Sequence, residues 1–317
     1  MTNHLSRAWL SITALSLLCF SACSQENNPA TNEIPNEVEA LAPGNYSRSI
    51  TIDGTARTYI LHVPTGYDGS KSLPLIFMLH GYGGTAQGFS MVSGMSPKAD
   101  QENFFVAYLD GTKGNGIAQG WNTGLTPGLG LAVDDIAFVR DLAGQLKAEL
   151  AIDATRVYAA GFSNGGFMSH RLAAELPELL AAVGTVAGTI GVSPDGGVNY
   201  YMIPQAEAPI PIVIIHGELD PNIPYYGGQG NGAGQLYVKS VADALAYWTA
   251  ADGCTEAPQI TVNGTGNVTS TDYTGCAEGT EVEHFKISDA YHEWPTVTGT
   301  GFSATDAIWE FFSRHNL

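Results

Sequence analysis

At 317 residues and 44% hydrophobic, the chain is long enough for one large core or two modest ones. Acidic residues outnumber basic ones 31 to 13, a formal net charge of −18. That sign opposes phosphate backbones and anionic membrane surfaces, so it argues against nucleic acid as a partner and against a small dianionic substrate.

Arg7 is the only charge ahead of an apolar run over residues 8–20, which is too short to span a membrane and is followed by small residues. This predicts a secretory signal over residues 1–22. The junction Phe20-Ser21-Ala22-Cys23 is similar to a bacterial lipobox, with Phe20 in place of the usual leucine. It predicts lipidation at Cys23 and an extracytoplasmic chain, secreted or anchored to the cell envelope by acyl chains alone. Plain cleavage near Ala22 is the alternative. Residues 23–45 are rich in Asn, Glu, Pro and Ala and predict a flexible tether, leaving 46–317 as the catalytic domain. Cys254 and Cys276 are then the cysteines left in the mature chain, and in an exported protein they predict a disulfide. They lack the Cys-x-x-Cys unit of a metal site.

Strands are expected at Ser49–Asp53 and Arg57–Val63 around an Asp53-Gly54 hairpin turn. Leu75–Leu79 is a pure apolar run of the kind buried on both faces of a parallel sheet, and Phe104–Leu109 is another. Asp135–Leu150 repeats its apolar residues at helical spacing. Val157 to Ala160 reads as a strand and the segment from Gly165 as a helix ending near Pro177. Strands follow at Ala182–Ala187, Ile210–Ile215 and Glu283–Ile287, and helices at Val238–Ala251 and Ala304–Arg314. This alternation predicts an α/β protein, a mostly parallel central sheet with helices on both faces. The glycine-rich stretch Gly227–Gly234 is either a rim loop or filler, and filler is the preferred reading.

The chemistry centres on Gly161-Phe162-Ser163-Asn164-Gly165, a Gly-x-Ser-x-Gly unit at a strand-to-helix junction. Such a turn pushes the serine hydroxyl out at the end of the strand. A serine needs a base, and the base needs an orienting acid. In α/β-hydrolase chain order the acid follows the serine and the histidine comes last. Glu218, Asp220 and Asp289 fit that order loosely. Asp220 is preferred because it ends a strand ahead of Pro221, at the end of the sheet where such folds keep their sites. Of eight histidines, His80 and His216 open His-Gly turns and are assigned to bracing them, and His284 to packing or surface. His292 lies in a loop before the last helix and is placed to reach Ser163. Asn164 N–H and Tyr82 N–H are the expected oxyanion donors. Trp121, Tyr225 and Trp294 are candidates for lining a substrate cleft, and core packing is an equally good reading of each.

His80-Gly-Tyr-Gly-Gly84, Gly161-Phe-Ser-Asn-Gly-Gly166, the run from His216 through Asp220 to Gly228, and His292-Glu-Trp-Pro295 stand in fixed order. Together they resemble the secreted polyhydroxybutyrate depolymerase and feruloyl esterase family, which is related to carbohydrate esterase family 1. The likeness runs from about residue 47 to the C-terminus. It implies an α/β-hydrolase fold, Ser163 as nucleophile, His292 as base and Asp220 as its acid. Asp134-Asp135, Gly120-Trp121-Asn122 and the segment from Trp248 to Cys254 are also similar to family positions, while Tyr82 and Thr296 depart from the pattern. The implied activity is hydrolysis of feruloyl or acetyl esters of plant polysaccharide, or of hydroxyalkanoate oligomers. It needs no metal and no organic cofactor and is expected of a monomer. The alternatives are a polyester depolymerase proper, a serine peptidase on the same fold, and an inactive hydrolase kept as a surface binding protein.

Overall fold

The computed structural model describes residues 41–317 except 117, 127, 128, 130, 233 and 234. The expected signal segment, Cys23 and the expected tether up to residue 40 lie outside the described residues. Ten strands form the main sheet: β1 (Gly44–Ile52), β2 (Thr55–Val63), β3 (Leu73–Leu79), β4 (Phe105–Leu109), β5 (Ile152–Phe162), β6 (Ala182–Val186), β7 (Ile212–Gly217), β8 (Gln259–Val262), β9 (Val268–Tyr273) and β10 (Val282–Ile287). Their order is β1-β2-β4-β3-β5-β6-β7-β10-β9-β8. The six central strands, β4 to β10 in that order, run parallel. Antiparallel hairpins close both edges.

Among the described residues seven α-helices accompany the sheet: α1 (Ala86–Val92), α2 (Met95–Glu102), α3 (Asp135–Glu149), α4 (Asn164–Glu175), α5 (Val241–Ala251), α6 (Val297–Thr300) and α7 (Ala304–Ser313). Successive residues of a strand face opposite sides, so a strand covered on both faces must be apolar throughout. Leu75, Phe77 and Leu79 of β3 pack in one core with Phe138 and Leu142 of α3 and Leu172 of α4. Ile76 and Met78 pack in the other with Phe89, Met95, Ile308 and Phe312.

The Asp53-Gly54 turn has φ of 47° and 78°, the positive pair that a two-residue hairpin loop of this hand requires. β1 begins at Gly44, so Gly44 and Asn45 belong to the sheet rather than to the tether. α5 begins at Val241, later than its apolar periodicity suggests, because Ser240 and Asp243 form a capping box. Val238 instead pairs with Val192 in a small antiparallel sheet of residues 201–202, 191–193, 237–238 and 228–229. α1 and α2 carry little periodicity. They are set by caps, Thr85 accepting from Gly88 N–H and the left-handed residues Gly94 (φ 72°) and Asn103 (φ 58°).

Cys254 and Cys276 are joined in a disulfide across a separation of 22 residues, worth about 3 kcal/mol through restriction of the unfolded chain. Beside it Asp252 is buried. Its Oδ1 accepts from Ile210 N–H at 3.2 Å, and its Oδ2 has no hydrogen-bond partner among the described residues. Burial therefore pushes its pKa up to about 7. A raised carboxyl pKa gives stability that is full below the unfolded value near 4 and is lost as pH rises towards 7. Asp252→Asn should accordingly unfold at higher denaturant than the parent at about pH 8, with the advantage shrinking towards about pH 4. Equal loss at both pH values would show that the carboxylate is not the destabilising group.

Candidate active site

The parallel strands deliver four loops to one end of the sheet. β5 runs directly into α4, and Ser163 sits between them at φ 54°, ψ −118°. That conformation is costly for any residue with a side chain. It is held by close packing on either side. A Cβ on Gly161 would collide with the Gly165 carbonyl, and one on Gly165 with the Leu79 and His80 carbonyls. Gly161 thus lets the start of α4 close on β5, and Gly165 lets it press against the end of β3. Ser163 N–H donates to Val186 O at 2.9 Å, tying the turn to β6.

β10 leads into the loop carrying His292, and β7 into the loop carrying Asp220. Backbone bonds join the two loops: Glu218 N–H donates to Ile287 O at 2.8 Å and Leu219 N–H to Ala290 O at 3.0 Å. Gly217 permits this contact, since a Cβ there would meet the Ala290 and Tyr291 carbonyls at 2.5 and 2.6 Å. As a result Ser163 Oγ lies 2.9 Å from His292 Nε2, and His292 Nδ1 lies 2.7 Å from Asp220 Oδ2. The carboxylate can only accept, so Nδ1 carries the proton and Nε2 is free to accept from the hydroxyl. Asp220 is buried, which works to raise its pKa. Hydrogen bonds and charge from His216 and His292 outweigh this and hold the carboxyl well below the usual range. Its other oxygen accepts from the N–H groups of Asn222 and Ile223 at 2.8 and 2.9 Å.

The turn after β3 passes over the same point. Gly111 N–H donates to His80 Nε2 at 3.0 Å, which puts the ring proton on Nδ1, and Nδ1–H donates to Gly81 O at 2.7 Å. Gly84 N–H donates to the same carbonyl at 2.9 Å. A trans peptide points its N–H opposite to its carbonyl, so these bonds orient Tyr82 N–H. Asn164 N–H is a first-turn amide of α4 without an intrahelical acceptor. The Asn164 side chain is fixed by Trp121 N–H, which donates to Oδ1 at 2.7 Å. The 119–122 segment is anchored in turn by Asp135, buried against Arg57 at 2.6 Å and accepting from Asn122 N–H at 2.7 Å.

Beside Ser163 lies a cavity of about 260 Å³, walled by Phe162, Phe167, Leu129, Ile223, Leu236 and Val238. The polar residues along it are Tyr82, Thr126, Ser163, Asn164, Asn222 and His292. The three aromatic candidates for a cleft are not among its walls. Trp121 is fully buried with Nε1–H on the His80 carbonyl at 2.8 Å. Trp294 donates to Thr305 Oγ1 at 3.0 Å and meets Phe89 edge-on. Tyr225 donates its hydroxyl to His284 Nε2 at 2.9 Å, and burial pushes its pKa up to about 12. All three are support rather than surface, because each has its polar tip bonded inside the protein. The stretch 227–234 is more than filler: Gly228–Gln229 pairs with Tyr237–Val238, bringing Gly232, Leu236 and Val238 to the cavity. Phe162 and Ile223 had a readable signal, since they are apolar residues one and three positions from Ser163 and Asp220.

The other acids point away. Glu218 accepts from the Tyr226 hydroxyl and pairs with Lys286 at 3.1 Å, and Asp289 accepts from Asn267. Among the described residues no cluster of three His, Cys, Asp or Glu side chains is arranged to hold a metal ion. No described helix is long and apolar enough to cross a membrane.

The sheet order, the strained serine at a strand–helix elbow and the loops around it define an α/β-hydrolase. Comparison with known proteins makes this more particular. The family described as esterase PHB depolymerase matches residues 57–199. The chain is 32% identical over 267 residues to a protein of Aspergillus terreus named probable feruloyl esterase C, covering 81% of this chain and 84% of that one. It is 30% identical to feruloyl esterase C of Emericella nidulans, covering 96% and 98%. It is 36% identical over 185 residues to NocK of Nocardia uniformis, a protein named as an esterase, and spans only about half of that protein's length. Among solved structures, an acetyl xylan esterase from Aspergillus awamori superimposes with a TM-score of 0.58 at 16% identity, covering 84% of this chain and 99% of that one. A carbohydrate esterase family 1 ferulic acid esterase from Anaeromyces mucronatus gives 0.55 at 17%, covering 88% and 92%. These two speak for the fold. The chain belongs to the polyhydroxybutyrate depolymerase and feruloyl esterase family, and it is a carboxylic ester hydrolase.

Gly165→Ala tests the elbow, because the added methyl meets backbone that cannot swing away. The variant should lose roughly 1–3 kcal/mol of stability and, even where folded, its reactivity towards a fluorophosphonate. Full stability and full labelling would show that the elbow tolerates a side chain.

Proposed function

We propose that the protein is an exported serine esterase in which Ser163 is the nucleophile, His292 the general base and Asp220 the acid that orients it. The single observation carrying this reading is the unbroken hydrogen-bonded line from Ser163 Oγ through His292 to Asp220. Ser163 attacks the ester carbonyl as His292 Nε2 takes its proton, and the carbonyl oxygen gains negative charge between Tyr82 N–H and Asn164 N–H. His292 gives the proton to the departing alcohol. Water, deprotonated by the same imidazole, then releases the acid and frees Ser163. Asp220 remains ionised throughout and stabilises the imidazolium.

The acyl group of the ester occupies the apolar cavity, and the alcohol faces solvent. An apolar pocket of this kind suits an aromatic or short aliphatic acyl chain better than a charged one. Two relatives are named as feruloyl esterases, and on that ground a feruloyl ester of plant polysaccharide is the preferred substrate. A hydroxyalkanoate oligomer is the second reading, favoured by the match to the esterase PHB depolymerase family over residues 57–199. Export rests on residues 1–22, with lipidation at Cys23.

Ser163→Ala should abolish fluorophosphonate labelling and reduce hydrolysis of methyl ferulate by at least about 10³-fold. Retained labelling elsewhere in the chain with unchanged turnover would remove Ser163 from the mechanism. Turnover of methyl ferulate, acetylated xylan and hydroxybutyrate trimer by the parent ranks the acyl groups, and activity on peptide anilides alone would replace the esterase reading with a peptidase one. In bacterial expression, Cys23→Ala should move the protein from the detergent phase to the aqueous phase. Unchanged partitioning would mean that no lipid is attached there.

A further inference from the structure

His216 lies at the carboxyl end of β7, buried, and the ester chemistry above does not use it. Its Nε2 is 2.8 Å from the Ile223 carbonyl. A carbonyl only accepts, so the ring proton is on Nε2. The same nitrogen is 3.4 Å from Asp220 Oδ2, the oxygen that receives the proton of His292 Nδ1. Nδ1 of His216 is buried without a partner among the described residues. The ring is backed by Tyr225, which meets it nearly perpendicular at 5.9 Å. Tyr225 is itself held by His284, whose Nδ1–H donates to Ile214 O at 2.8 Å.

Ile223 is the residue on which these contacts converge. Its N–H donates to Asp220 Oδ1, its carbonyl accepts from His216, and it lines the cavity beside Ser163. The acid and the cavity wall are therefore one hydrogen-bonded unit, closed at its base by a single imidazole N–H.

We infer that His216 is a positioning residue: its Nε2–H fixes the 220–223 turn so that Asp220 Oδ2 faces His292 while Ile223 faces the acyl group of the substrate. This rests on the reading of Ser163, His292 and Asp220 as the reacting set. Two consequences separate positioning from mere packing. The Nε2–H, directed at the Ile223 carbonyl, also holds its positive end 3.4 Å from Asp220 Oδ2 and stabilises that oxygen's negative charge, so removing the N–H makes the carboxylate a stronger partner for the His292 imidazolium. The imidazolium then persists to higher pH, and the acid limb of kcat/KM moves upward. Loosening Ile223 also weakens binding of esters whose acyl group fills the cavity more than that of acetyl esters.

Among the described residues the charged and titratable groups around this unit are His292 in front, Tyr225, Tyr226 and His284 behind, and His170 on α4, with Lys286 and Glu218 paired to each other at the strand ends. Burial lowers His170 to about 3 and His284 to about 4. Neither titrates where the acid limb is read.

The ring geometry dictates the test. A glutamine amide nitrogen reaches the place of imidazole Nε2, whereas an asparagine nitrogen reaches that of Nδ1. Full-length parent, His216→Phe, His216→Gln and His216→Asn are compared from about pH 5 to about pH 9 with p-nitrophenyl acetate and methyl ferulate, folding being checked by thermal unfolding. His216→Phe and His216→Asn should lose about 10²-fold in kcat, show an acid limb displaced to higher pH, and raise KM for the ferulate ester more than for the acetate. His216→Gln should recover most of the rate and the parent's limb. The inference is overturned if Gln and Asn behave alike, if a folded Phe variant keeps the parent's rate and limb, or if none of the three variants folds. The parent and Ser163→Ala run in the same assay, so a parent without Ser163-dependent turnover would bring down the triad reading itself, and this inference with it.

Discussion

The backbone of Ser163 stands at a positive φ that serine does not favour, and the rest of this end of the molecule is arranged around keeping it there. The restraint comes from two glycines without side chains packed against the ends of β3 and β5, and from the N–H of Ser163 on β6. A parallel sheet is suited to this, because its strands are anchored along their length and leave their carboxyl ends for loops. The apolar cost of such a sheet is a core on both faces. The uninterrupted runs in β3, β4 and β7 meet it.

Around the elbow, main-chain hydrogen bonds do most of the aiming. The 217–220 and 290–292 loops are fastened to each other before their side chains meet, so the imidazole and the carboxylate arrive in register. The turn after β3 is fixed by His80 through one carbonyl, and the 119–122 segment by the buried Arg57–Asp135 pair. Pairs of that kind carry a large desolvation cost. Removing one partner costs about 3–5 kcal/mol, which makes the pair a rigid anchor for the segment beneath Asn164.

That Ser163, Asp220 and His292 would meet was legible because their signals are local: a glycine spacing at a strand–helix junction, an acid ahead of a proline, a histidine in the last long loop. The apolar strands were legible for the same reason. The cavity was not, because its walls come from four separated stretches and from residues such as Val238, whose apolar character suited a helix equally well. Trp121, Tyr225 and Trp294 show the converse failure. An aromatic beside a site motif looks the same in sequence whether it faces the substrate or backs the motif, and only the partner of its polar tip distinguishes the two. α1 and α2 depend on caps and left-handed residues rather than on a repeating apolar face, so periodicity passes over them.

On the proposed reading, the strained elbow presents Ser163 Oγ to a carbonyl whose oxygen falls between two fixed amides. A crystal structure of the protein after reaction with a small fluorophosphonate tests this most directly. Phosphorus is expected bonded to Ser163 Oγ, with the phosphonyl oxygen within hydrogen-bond distance of both Tyr82 N and Asn164 N. An adduct on another residue, or a phosphonyl oxygen turned to solvent with both amides unengaged, would contradict it.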